Sequence, residues 1–274
     1  MYSSSNIFKN MKQKEYFIKR QLNNNSNNFE EEYWGIVKDP DGKIRDVGDE
    51  RNHKLEWAKE EIRFINNLDP GVILDIGCGI GAVLEGIDDG WEKHGVEVSK
   101  YAAAKANNYG KIFLGELHNA KYPSNYFDAI LLFHVIEHLN SPIEVLIEIH
   151  RILKDGGYLI VGTPDFDCAC ARRYGDNFRL LHDNTHISLF SNESLHRMLF
   201  DYGFSILQTD FNYFESKYFT KENLLRLFNT KEISPPFYGN IMTKYCKKLS
   251  MEEAYERIKV LQSTLDSIFK EDKL

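Results

Sequence analysis

The stretch VILDIGCGIGAVLEGI, residues 72–87, decides the fold. Val72 to Ile76 is a short apolar run of strand length, and it runs straight into Gly77, Gly79 and Gly81 ahead of a helix start. Glycines at that junction let a ligand approach the backbone closely. The spacing Gly77-x-Gly79-x-x-Ala82 fits the relaxed dinucleotide fingerprint, so a nicotinamide or flavin nucleotide is one reading of the loop.

Working outward, strands and helices alternate. HGVEV (94–98) ends before Ser99, a cap for the helix KYAAAKANN, and KIFLG (111–115) and YFDAILLF (126–133) read as further strands. Ser141, Pro142 and Glu144 predict a capping box. The helix they open carries Leu146, Ile149 and Leu153 on one face and stops at Gly156-Gly157, and YLIVGT (158–163) follows as a strand. Beyond 163 the pattern loosens, then resumes as a helix capped at Ser191, a strand FSILQTDF and a strand near 238–247. Crossovers long enough for helices predict a doubly wound, parallel α/β sheet.

The flanks divide from this domain, expected over 54–248. Residues 1–53 begin polar, pass through NNNSNN and a turn at Asp39-Pro40-Asp41-Gly42, and read as a mobile segment and possible lid. A helix with Leu55, Ala58, Ile62 and Ile65 on one stripe follows. In 249–274, Met251, Ala254, Ile258, Leu261, Leu265 and Ile268 form an a/d seam of under three heptads. That amphipathic helix packs on its own domain or pairs two copies into a homodimer.

Composition narrows the function classes. The 274 residues are 42% apolar and 27% charged, with a net charge of −7. Without a basic stripe, nucleic-acid binding has no electrostatic support. Cys78, Cys168, Cys170 and Cys246 make no disulfide or zinc framework, which predicts a reduced, cytoplasmic protein. No run reaches membrane-span length and no signal-peptide core is visible.

Two acids qualify the glycine loop. Asp75 stands two residues before Gly77, where a carboxylate suits a cationic ligand better than a pyrophosphate. Glu97 ends the second strand, placed to accept both hydroxyls of a ribose, as it would for NAD. The string FHVIEHL (133–139) holds H-x-x-E-H, the zinc-peptidase spacing when carried on one helix. Here a strand runs into it and the helix begins only at Pro142, so no metal is expected at it.

VILDIGCGIG, GVEVS, FDAILLFHVIEHLNSP and RILKDGGYLIVGTP together resemble class I S-adenosylmethionine-dependent methyltransferases over about residues 70–165. The continuation from TPDFDCACARRYG through THISLFSNESLHRMLFDYGF, to about residue 247, is similar to small-molecule methyltransferases of surface-polysaccharide and natural-product pathways. The resemblance implies a Rossmann-like seven-stranded sheet, last strand antiparallel, in three α/β/α layers. It implies S-adenosylmethionine as cofactor and S-adenosylhomocysteine as product. Asp75 and the backbone of Gly77, Cys78, Gly79 and Gly81 would hold the methionine part, with the Cys78 side chain a small buried filler. Glu97 would take the ribose, Val98 the adenine face, and Glu116 and Leu117 the adenine edge. Phe133 and His134 would approach the sulfonium.

For catalysis, a histidine suits proton removal from an alcohol and the holding of a neutral amine. His138 matches a catalytic histidine of phosphobase methyltransferases, and His186 and His182 lie in the segment that walls the acceptor pocket in the family. Asp183 beside them raises magnesium, but the acidic pairs of magnesium-dependent members are not apparent, and no metal is expected. Tyr33, Trp34, Arg45 and Arg51 on the N-terminal segment, and Arg172, Arg173 and Tyr174 after the fifth strand, are candidate acceptor contacts. The expected reaction is methylation of a polar small molecule, a hydroxyl of a sugar or nucleotide-linked sugar. Alternatives are N-methylation of an amine or phosphobase, a non-catalytic cofactor-binding subunit, and an NAD-dependent oxidoreductase. The element Asn/Asp-Pro-Pro-aromatic of nucleic-acid amino-methyltransferases is replaced here by FHVIEHL.

Overall fold

A computed structural model describes residues 19–20, 36–38, 44–46, 51–183, 185–212, 220–235, 240–250, 252, 253, 256, 259, 260 and 263. Short strands β1 (Lys19–Arg20), β2 (Ile36–Lys38) and β3 (Ile44–Asp46) precede helices α1 (Arg51–Trp57) and α2 (Lys59–Asn66). Then follow β4 (Val72–Ile76), α3 (Ala82–Gly86), β5 (Glu92–Glu97), α4 (Lys100–Ala106), β6 (Lys111–Leu114), β7 (Phe127–Phe133), α5 (Pro142–Ile152) and β8 (Leu153–Pro164). The chain continues through α6 (Ala169–Tyr174), β9 (Ser188–Leu189), α7 (Asn192–Asp201), β10 (Phe204–Asn212), α8 (Lys221–Arg226) and β11 (Ile241–Lys248).

Seven strands form one sheet in the order β6-β5-β4-β7-β8-β11-β10. The first five are parallel, and β11 lies antiparallel between β8 and β10. This is the expected sheet with its antiparallel last strand. Because both faces are covered, the central strands are continuous apolar runs. On one face Leu74, Ile130, Leu132, Leu159 and Val161 meet Leu146 and Ile149 of α5 and Leu195 and Met198 of α7. On the other, Ile73, Leu131, Ile160 and Tyr245 meet Ile65 of α2 and Leu84 of α3. Alternate strand residues therefore serve opposite cores, giving the three layers.

Local signals divide into those realised and those replaced. Ser99 caps α4, its hydroxyl accepting from the Ala102 amide at 3.2 Å. Ser141 precedes α5 but makes no capping hydrogen bond, so the predicted capping box is absent there; Pro142 alone marks the start. A reciprocal box forms instead at Ser191 and Ser194 on α7. Gly156-Gly157 does not end α5. The helix stops at Ile152, β8 begins at Leu153, and the glycines lie where pairing jumps from Phe127–Leu153 to Ala129–Tyr158. The loosened stretch after 164 builds a small core of its own around Phe166, Tyr174, Phe178 and Leu189.

All four cysteines are free and buried. Among the described residues no helix is long and apolar enough to cross a membrane. The six residues of the C-terminal seam lie outside the described residues, as do Tyr33 and Trp34.

Candidate active site

The chain leaves β4 toward β5 and β6, then returns to β7 on the opposite side. The crevice at the carboxyl ends of β4 and β7 is thus a topological switch point, where ligands of open α/β sheets bind. Every strand-end residue singled out from the sequence lies along it or beside it.

Gly77 turns the chain out of β4 at φ +70°, its amide donating to the Val96 carbonyl at 2.7 Å. A Cβ added there would stand 2.4 Å from Val135 Cγ2, so the loop is packed against the chain leaving β7. Gly77→Ala is expected to cost ~1–3 kcal/mol in backbone strain, before any effect on ligand binding. A thermal melt checks this, and a Tm equal to that of the parent would refute the fit. Cys78 is buried with its thiol pushed up by burial, and its sulfur occupies the space a Cβ on Gly95 would need. It is packing, as expected for its side chain.

Asp75 is 3% exposed, and burial followed by the charge of Glu97 pushes its carboxyl up to about 8. Such a group gains most from a cationic ligand, which would restore its charge. Glu97 is also buried, and its two oxygens accept from the Gly79 and Ser99 amides, both at 2.8 Å. Each oxygen keeps a second lone pair for a hydroxyl donor. Beyond it Val98 is half exposed, Glu116 is exposed and Leu117 is buried. A buried acid for an ammonium, an acid pair of lone pairs for a diol and an open apolar residue for a base fit S-adenosylmethionine.

At the far lip, β7 ends in Phe133 and His134. His134 adopts φ +56°, an uncommon left-handed conformation for a residue with a Cβ. Its ring stacks on Trp57 of α1 with centroids 4.5 Å apart, and Phe133 meets the same indole edge-on at 5.9 Å. His134 Nδ1 lies 3.3 Å from Glu137 Oε1, and its buried Nε2 has no hydrogen-bond partner among the described residues. So His134 packs on Trp57 at the end of β7 and also steadies a buried acid.

A 3-10 turn, Ile136–His138, folds Glu137 and His138 inward. Glu137 is fully buried and accepts from Thr163 Oγ1 at 3.0 Å, while its own carbonyl accepts from the Ile187 amide at 2.9 Å. Burial opposes its charge, but the His134 hydrogen bond and the nearby His138 and His186 hold it below the usual carboxylate range. His138 Nδ1 donates to the Thr185 carbonyl at 2.9 Å, and His186 Nδ1 donates to the Leu180 carbonyl at 2.9 Å. Each neutral ring therefore carries its lone pair on Nε2. The rings lie 5.0 Å apart, and burial lowers the His138 pKa. Two candidate histidines, 48 residues apart in the chain, thus meet around a glutamate that sequence reading passed over as part of a motif.

The other candidates whose side chains are described have partners of their own. His182 is exposed and bonded to the Asp176 carbonyl at 2.9 Å. Arg173 donates to the Leu227 carbonyl and buried Tyr174 donates to the Arg226 carbonyl at 2.7 Å, tying α6 to α8. Arg172 pairs with Asp167 at 2.6 Å. Arg51 begins α1 and Arg45 lies in β3, their side chains outside the described residues. Trp57, Thr163 and Thr185 were not found from sequence; only the folded chain brings them to the site.

The sheet order, the antiparallel strand and the acid-flanked glycine loop define the fold of class I S-adenosylmethionine-dependent methyltransferases. Residues 50–209 match the family described as methyltransferase domain, and the chain belongs to that family. It is similar to an uncharacterized methyltransferase of Schizosaccharomyces pombe, 32% identical over 36% of this chain and 41% of that protein. A ubiquinone biosynthesis O-methyltransferase of Alkalilimnicola ehrlichii is 29% identical over 46% of this chain and 53% of its own. The chain thus spans about half the length of these curated relatives. Among solved structures, a putative methyltransferase of Haloferax volcanii, in complex with the activator Trm112, shares the fold (TM-score 0.58, 15% identity). That match covers 74% of this chain and 93% of that one. A possible histamine N-methyltransferase of Thermotoga maritima aligns at TM-score 0.51 and 25% identity, covering 73% and 97%.

Proposed function

We propose that the protein methylates a polar small molecule from S-adenosylmethionine, at a hydroxyl of a sugar or nucleotide-linked sugar. The supporting observation is the anchored pair His138 and His186 around buried Glu137, beside the glycine loop and the end of β7. Asp75 and the backbone of Gly77 to Gly81 would hold the methionine part, Glu97 the ribose, and Val98, Glu116 and Leu117 the adenine. When bound, S-adenosylmethionine supplies a methyl group on a sulfonium, a leaving group already activated.

What remains for the chain is orientation, exclusion of water and removal of a proton. His138 Nε2 takes the acceptor's hydroxyl proton, the Thr185 carbonyl holding its ring in the required tautomer. Glu137 stabilises the imidazolium so formed, and His186 orients the acceptor oxygen. The O-methyltransferase relative supports oxygen as the target, and the resemblance of the segment after β8 supports a sugar. The Thermotoga maritima likeness favours a second reading, an amine held neutral by the same histidine.

A screen of sugars, nucleotide sugars and amines with isotope-labelled cofactor, read by mass spectrometry, tests this. Methylation of amines alone would replace the first reading by the second; no binding of S-adenosylhomocysteine would sink both. The pH profile carries a signed expectation. A base must be neutral, and burial lowers the pKa of His138 from 6.5. Hence the midpoint of the acidic limb of kcat/KM should lie below 6.5. A midpoint at or above 6.5 would remove His138 as the base.

A further inference from the structure

We propose that Glu137, His138 and His186 form a binding site for a divalent transition-metal ion, with Asp183 as a fourth ligand. One donor atom from each of the first three lies within 4.8 Å of the other two, and Glu137 and His186 are buried. A tetrahedral ion with bonds of ~2.1 Å separates its ligands by ~3.4 Å, so small side-chain rotations close the first three, while Asp183 stands farther off and must swing in.

The surroundings are built as metal-binding histidines require. Both rings spend Nδ1–H on backbone carbonyls, Thr185 for His138 and Leu180 for His186, which fixes the tautomer that carries the lone pair on Nε2. Glu137 is oriented through both oxygens, by His134 and by Thr163. Asp183 is fixed through Oδ1, which accepts from the Thr185 amide and hydroxyl, and its Oδ2 stands 3.7 Å from His186 Nε2. Two carboxylates of net charge −2 then face two neutral imidazoles, a donor set that balances a dication. Two imidazoles favour manganese, iron, cobalt or zinc over magnesium or calcium, which prefer all-oxygen shells.

The string H-x-x-E-H thus serves a metal by another geometry than the peptidase helix. Here a 3-10 turn supplies Glu137 and His138, and the third ligand comes from the loop before β9. The ion's use rests on the methyl-transfer reading and replaces His138 as the base: with His138 Nε2 on the metal, the ion would hold the acceptor hydroxyl and acidify its proton. The O–CH3 bond forms as the S–CH3 bond breaks, the electron pair stays on sulfur, and the hydroxyl proton leaves to solvent.

Titration of metal-free full-length protein with Co2+, followed by visible absorption, tests the site without any turnover. One ion per chain is expected, with bands of nitrogen and oxygen ligation. His138→Ala and His186→Ala should each weaken binding at least ~10-fold, and His182→Ala should leave it unchanged. Should either alanine variant fail to fold by circular dichroism, Asp183→Asn, at a partly exposed loop position, gives the same reading. Absence of saturable Co2+ binding, or parental affinity in these ligand variants, overturns the site. Calorimetry with S-adenosylhomocysteine separates the two proposals: cofactor binding without Co2+ binding defeats only the metal, and the converse defeats only the methyl-transfer reading.

Discussion

Asp75→Asn is expected to weaken S-adenosylhomocysteine binding by ~10–150-fold, the range for losing one hydrogen bond to a charged group. The same substitution should stabilise the ligand-free protein, because it removes a carboxyl held in the wrong environment for its charge. The sign follows from the raised value. In the unfolded chain the acid ionises near pH 4; in the folded one it keeps its proton to about 8. The folded form therefore binds the extra proton between those limits, and the parent loses stability as pH rises through them. The advantage of the asparagine variant grows from pH 4 to 8 and is greatest above 8. Binding calorimetry and melts at pH 5 and 8.5 check both halves. A variant less stable than the parent at pH 8.5, or one with parental affinity, would show that Asp75 is not the ammonium's partner.

His138→Ala should slow turnover by ~10²–10⁴ while cofactor affinity stays near that of the parent. The separation follows from position: Asp75, Glu97 and the glycine backbone lie at β4 and β5, whereas His138 faces the loop before β9. The loss is expected whether His138 acts as a base or as a metal ligand, and a chelator tells the two apart, since only the second loses rate to it. Parental turnover with a verified acceptor would remove His138 from the chemistry.

The parallel part of the fold was legible because buried strands write themselves as apolar runs, and β4, β5 and β6 end at a glycine or an acid. Asp75, Glu97 and Gly77 could be placed from spacing alone, since the strand fixes where its last residues point. The acceptor side was legible only in part. His138 and His186 were identifiable as chemistry-bearing residues, but their meeting depends on a 3-10 turn and a loop whose own small core, around Phe166 and Phe178, leaves no periodic trace. Glu137 was visible in the quoted motif, yet its burial follows from Thr163 at the end of a different strand. The failed cap at Ser141 has a similar cause: the residue has the right type, but its hydroxyl makes no capping bond in the fold.

Strand β1 pairs Lys19 with Leu189 and Arg20 with Ser188, two residues on from His186. This two-residue ladder joins segments almost 170 positions apart in the chain, so few hydrogen bonds offset the entropy of its closure. The central sheet closes over far shorter separations. On that accounting, the ladder is expected to form after the central sheet. The segment bearing His186 then gains a neighbour when Lys19 and Arg20 pair with Ser188 and Leu189.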